Sequence, residues 1–93
     1  MRFREKELGT MNCIGAKVRE FRLKKGIKQC DFLVMLHLEG MCISATSLIR
    51  LEGQDRNAYV QELIVLAKVL NVDINDLIDK DKIKFKHLNS DKK

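Results

Sequence analysis

The chain has 93 residues, of which 45% are hydrophobic and 33% charged, with one Tyr, four Phe, no Trp and no Pro. One small domain with a real core fits this composition, whereas a β-sandwich, built on β-branched and aromatic residues, fits it poorly. No apolar run nears the roughly 20 residues of a membrane span, and residues 1–10 are too charged for a signal peptide.

Three cysteines, Cys13, Cys30 and Cys42, are odd in number and far apart, which argues for free thiols in a reducing cytoplasm. The net charge of +5 suggests a nucleic-acid partner, but its distribution qualifies that. Residues 14–79 hold nine basic and nine acidic side chains, so the surplus lies in residues 1–13 (+1) and 80–93 (+4). Within the neutral stretch, Lys17, Arg19, Arg22, Lys24, Lys25 and Lys28 crowd the beginning while Asp73, Asp76 and Asp79 sit at the end. A polarised domain with one basic face is expected.

Residues 1–11 are charged and weakly patterned, as in a flexible arm or a frayed helical extension. A first helix follows over residues 14–25, with Ile14, Val18, Phe21 and Leu23 marking its apolar stripe and Gly26 closing it in left-handed geometry. A second helix runs from Gln29 to Leu36 or Leu38, turning Phe32, Leu33 and Leu36 inward. Its turn centres on Gly40. Ser44 then caps a third helix, residues 45–52, with Leu48 and Leu51 facing the core.

After a polar loop over residues 53–57 comes a fourth helix, residues 60–70, using Leu63, Ile64, Ala67 and Leu70, with Asn71 as its left-handed end. A short fifth helix spans residues 74–78, capped by Asp73. From Lys80 onward lysines alternate with Ile83 and Phe85, followed by Leu88; a tail, an added helix and a short edge strand all fit. The expected fold class is all-α: a compact five-helix domain with accessory terminal segments.

Two short helices joined by a turn, the second opened by a small polar cap, are the physical recipe for a helix-turn-helix. The runs Ile27-Lys-Gln-Cys-Asp-Phe-Leu, Ile43-Ser-Ala-Thr-Ser-Leu-Ile-Arg-Leu-Glu-Gly53 and Glu62-Leu-Ile-Val-Leu-Ala-Lys-Val-Leu-Asn-Val-Asp-Ile-Asn-Asp-Leu-Ile78 carry more than that pattern. They resemble the Cro and phage-repressor (XRE-type) helix-turn-helix regulators over residues 14–78. The resemblance implies a five-helix lambda-repressor-like domain over residues 14–79, between an arm (1–13) and a basic tail (80–93).

It also implies roles. Gln29, with Lys28 beside it, would hold a phosphate at the start of the second helix. Ser44 and Ser47 would serve as cap and phosphate contact. Ala45, Thr46, Ile49 and Arg50 would face the bases, since positions i, i+1, i+4 and i+5 share one side of a helix. Arg56 in the next loop would touch the DNA backbone, and Arg22 with Glu52 would tie the first helix to the third.

Three features depart from the family pattern. Six residues separate Leu36 from Ile43, more than in the common form. Gly53 falls one position early, leaving Gln54 where the family often has Gly. The base-facing arc offers one long polar side chain, Arg50, and an AT-leaning site read through thymine methyls is the expectation.

No Ser/His/Asp arrangement, Gly-rich phosphate loop or paired carboxylate set is present, so neither catalysis nor a cofactor is expected. Cys13, Cys30, Cys42, His37 and His87 lack metal-ligand spacing, so no metal site is expected. Cys30 and Cys42 read as small core or near-surface hydrophobes, Met35 and Met41 as packing. The reading is a cytoplasmic, nucleoid-associated regulator of bacterial, phage or plasmid type that binds double-stranded DNA as a homodimer, most simply as a repressor. The fifth helix and the tail are candidate dimer surfaces. A partner protein could control its activity. Two other readings are a protein-interaction module of the same fold and non-specific nucleoid binding through the tail.

Overall fold

A computed structural model describes residues 8–79, with five helices in this order: α1 (Gly15–Lys24), α2 (Gln29–Leu38), α3 (Ala45–Glu52), α4 (Val60–Leu70) and α5 (Ile74–Leu77). No strand occurs among the described residues. Residues 1–7 of the expected arm and the whole 80–93 tail, with its three alternatives, lie outside the described residues.

Three of the five helices stop where a residue adopts a positive φ. Gly26 (φ 70) ends α1, Gly40 (φ 92) ends α2 and Asn71 (φ 58) ends α4. At Gly40 the pairing is characteristic. The Gly40 N–H donates to the His37 carbonyl at 2.9 Å, and the Met41 N–H donates to the Leu36 carbonyl at 2.9 Å. Two orphan carbonyls of the last turn are thereby satisfied, and the reversal drops Met41 into the core. The six residues after Leu36 divide between an extra stretch of α2 and this turn. His37 Nε2 hydrogen-bonds the Ile43 carbonyl at 2.8 Å, and Glu39 pairs with Lys68 of α4 at 2.9 Å. The long turn is held at both ends.

One core unites all five helices and the turn: Ile14, Val18, Phe32, Leu36, Met41, Leu48, Leu51, Leu66, Ala67, Leu70 and Leu77. Burying each of the larger of these aliphatic or aromatic side chains contributes about 1.5–3 kcal/mol. Two expected core positions are corrected. Leu23 is exposed, and Arg22, four residues after Val18, takes the inward position instead. Ile64 is also exposed, and Leu66 is buried in its place. Eight of the eleven residues in α4 are apolar, so periodicity alone could not select the inward stripe.

Over residues 8–13 the chain is docked on the loop after α3, with Gly9 N–H on the Gly53 carbonyl at 2.8 Å and Met11 N–H on the Gln54 carbonyl at 2.9 Å. Asn12 then starts α1: its Oδ1 accepts from the N–H groups of Ile14 (3.0 Å) and Gly15 (2.8 Å). At Gly15 the first turn of α1 crosses the end of α3 so closely that a Cβ there would collide with the Leu51 carbonyl.

Candidate functional site

The residues singled out in the sequence fall into an outward face of α3 and an inward framework that holds it. The framework centres on Glu52, only 2% exposed, and Arg22, 5% exposed. Arg22 Nε donates to Glu52 Oε2 at 2.7 Å and its Nη2 donates to Oε1 at 3.0 Å, a two-pronged charge-assisted pair. The remaining guanidinium nitrogen, Nη1, donates to the Ile27 carbonyl at 2.8 Å, just past the end of α1. Gln29 completes the cluster, its Nε2 donating to Glu52 Oε1 at 3.1 Å. One carboxylate thus joins α1, the α1–α2 corner, the first residue of α2 and the last residue of α3.

Buried charges are tolerated only when paired and fully hydrogen-bonded, and this set meets that condition. Two expectations change in consequence. Arg22 adds nothing to a basic surface, which is left to the exposed Arg19, Lys24, Lys25 and Lys28. The Gln29 side-chain amide is engaged with protein. The backbone donors at the start of α2 remain uncapped by any side chain, with exposed Lys28 as the capping residue.

On α3, Ser44 caps the helix by accepting from the Ser47 N–H at 3.0 Å. Leu48 and Leu51 point into the core. Ala45, Thr46, Ile49 and Arg50 are all exposed along one arc, Ile49 by 54%, and Ser47 is half-buried beside it. The structure brings these four side chains onto one face and leaves them outward.

Arg56 lies elsewhere. Its Nη1 and Nη2 grip Glu62 of α4 at 3.0 and 2.7 Å, and Nη1 also donates to the Asn57 carbonyl at 3.0 Å. Glu62 Oε1 accepts from the Tyr59 N–H at 3.1 Å as well, which anchors the start of α4. Burial pushes the Glu62 carboxyl upward, but the Arg56 guanidinium and the Tyr59 N–H outweigh it and hold it below its ordinary range. The hydrogen bond and charge of Glu62 raise Arg56 further, against the opposing effect of burial.

Gln54 escaped the sequence reading as an organising residue. It sits at φ 62 and is 2% exposed. Its Oε1 caps α1 by accepting from the Ala16 N–H at 3.1 Å, and its Nε2 donates to the Gly9 carbonyl at 3.0 Å. The early Gly53 was the available signal, because it leaves a non-Gly residue at the position that takes the positive φ.

The cysteines carry no disulfide: Cys30 and Cys42 are exposed and Cys13 is half-buried, so neither Cys30 nor Cys42 is a core residue. Among the described residues no helix is long and apolar enough to cross a membrane.

No family model matches the chain, and no curated protein matches its sequence. Among solved structures, the crystal structure of the DNA-binding domain of BldD is similar, with a TM-score of 0.60 and 24% identity. The likeness covers 75% of this chain and 94% of that one, and it shows a shared fold.

Proposed function

We propose that the chain is a sequence-specific DNA-binding regulator of transcription that inserts α3 into the major groove. The observation that carries this is the outward arc of Ala45, Thr46, Ile49 and Arg50 on a helix whose other side is fixed by Leu48, Leu51 and the Glu52 cluster. A recognition helix needs that combination, since base contacts are short-ranged and a helix that rocks cannot hold them. The fold shared with the BldD DNA-binding domain supports the same reading.

In this reading Arg50 supplies the polar base contact, and Ala45, Ile49 and the Thr46 methyl meet thymine methyls. Lys28, Ser44, Ser47 and the first backbone N–H groups of α2, at Gln29, bind phosphates. Arg56 meets the DNA backbone only by sharing its guanidinium with Glu62. The protein acts as a homodimer, setting two copies of α3 about 34 Å apart on a two-fold site, and represses by occupying it.

The apolar character of the arc favours one rival, a protein-interaction module. Selection from a random duplex library, followed by anisotropy on the winner at two salt concentrations, separates them. A two-fold site bound roughly several hundred-fold above random duplex, with affinity falling steeply in salt, supports the proposal. Binding without enrichment sinks sequence specificity, and no binding near physiological salt transfers the arc to a protein partner.

A further inference from the structure

The outward arc of α3 carries few kinds of chemical group. Within Ala45–Glu52, Leu48 and Leu51 lie in the core, Glu52 is held by Arg22 and Gln29, and Ser47 is half-buried. Exposed on the arc are the methyl of Ala45, the methyl and hydroxyl of Thr46, the branched alkyl group of Ile49 and the guanidinium of Arg50. None of these four is a carboxylate, which would accept from the N4 amine of cytosine, or an amide, which would grip adenine at N6 and N7. At the start of the helix the Ser44 oxygen is engaged with the Ser47 N–H at 3.0 Å.

Such an arc senses a methyl group better than it senses polarity. Thymine and 5-methylcytosine place the same C5 methyl in the major groove. They differ at position 4, where thymine has an acceptor oxygen and 5-methylcytosine a donor amine. Telling them apart takes a group of fixed polarity, and the Thr46 hydroxyl both donates and accepts. Arg50 only donates, and the two-pronged grip on guanine O6 and N7 is the base contact that suits it best. Helical side chains lean toward the N-terminus, so the Arg50 stem passes over the turn that holds Thr46, four residues earlier. Cβ atoms at that spacing are about 5–6 Å apart, one to two base steps of roughly 3.4 Å. The methyl reader and the guanine reader therefore meet neighbouring bases.

We infer that α3 recognises a 5-methylpyrimidine beside a guanine and takes thymine and 5-methylcytosine alike, so that methylation of cytosine creates sites that unmodified cytosine does not offer. This rests on the proposed DNA binding and adds to it a ligand class and a means of control, the methylation state of the DNA.

Two selections test it, one from ordinary random duplex and one from random duplex in which every cytosine carries a 5-methyl group. Positions enriched as thymine in the first should admit 5-methylcytosine in the second, next to guanine. On the selected site, anisotropy then compares thymine, uracil, cytosine and 5-methylcytosine at one such position. Thymine and 5-methylcytosine should bind alike, and uracil and cytosine about fourfold more weakly, the transfer value of one methyl-sized group. A Thr46→Ser/Ile49→Ala variant, altered only at exposed positions, should keep its helix content by circular dichroism and bring all four duplexes toward one affinity. If 5-methylcytosine behaves as cytosine, or the methyl preference survives undiminished in the variant, the inference is overturned while specific DNA binding stands. If no duplex binds, both readings fall together.

Discussion

Replacing Gln54 by Ala and, separately, by Gly distinguishes the two contributions this residue makes. Both variants lose the bonds to the Ala16 N–H and the Gly9 carbonyl, each worth about 1 kcal/mol net, so each starts about 2 kcal/mol below the parent. The backbone then divides them. At φ 62 an Ala retains a steric cost of roughly 1 kcal/mol or more that Gly escapes. The expected order is parent, then Gly about 1 kcal/mol lower, then Ala about 2 kcal/mol lower. In a domain this size each kcal/mol moves the midpoint by roughly 4–8 °C, so thermal melts followed by circular dichroism resolve the three proteins. Hydrogen exchange at Ala16 supplies a local readout and should speed up in both variants. Ala as stable as Gly would refute the strain assigned to the left-handed turn. Two neutral variants would refute the bridge between the N-terminal segment and α1.

Arg22→Met alone should cost about 3–5 kcal/mol, because Glu52 is left buried without its cation, whereas Arg22→Met with Glu52→Leu should recover most of that; urea titration of both proteins tests the difference. Glu62, whose carboxyl is held low in the folded protein, contributes stability that is full above the unfolded carboxyl range, near about pH 4.3, and is lost as pH falls through its lower folded value. Melts between pH 6 and 3 should therefore steepen relative to a Glu62→Gln variant, which starts less stable and loses less, and parallel curves would count against the pairing. Gly15→Ala, conservative for a helix by propensity, should instead destabilise by at least about 1 kcal/mol, because its methyl meets the Leu51 carbonyl. A stabilised variant would mean that α1 and α3 do not approach so closely.

The sequence announced its helices because their ends carry chemistry that acts locally. Gly26, Gly40 and Asn71 permit a positive φ, and Ser44 supplies a cap oxygen three residues before the N–H it accepts from. Signals of that kind need no knowledge of the rest of the fold. What stayed hidden is long-range. Ile64 and Leu66 are equivalent as residues, and only the placement of α1, α2 and α5 around α4 decides which is buried. Likewise Gln54 reaches across 38 residues to cap α1, and although the early Gly53 marks its backbone, nothing local marks that contact. Arg56 and Gln29 show the same limit at the candidate site, for a guanidinium or an amide suits a phosphate as well as a carboxylate. Glu62 and Glu52 claim them through proximity that only the folded chain creates.

That capture bears on how the α3 face works. Five polar side chains around it, Arg22, Gln29, Glu52, Gln54 and Arg56, face other protein groups. What faces outward is mostly methyl and methylene surface with a single guanidinium, Arg50. Such a surface has little charge with which to compensate for a loose fit, because dispersion contacts fade within about an ångström of their optimum. A surface of this kind therefore gains from rigid placement more than a highly charged one does. The buried cluster supplies that placement at the C-terminal end of α3, and the Ser44 cap supplies it at the other. By this reasoning, under the proposed function, loss of Gln29 or Glu52 weakens binding by letting α3 move, even where neither side chain touches the partner. The same logic applies whether the partner is the thymine-rich edge of a major groove or the side chains of another protein.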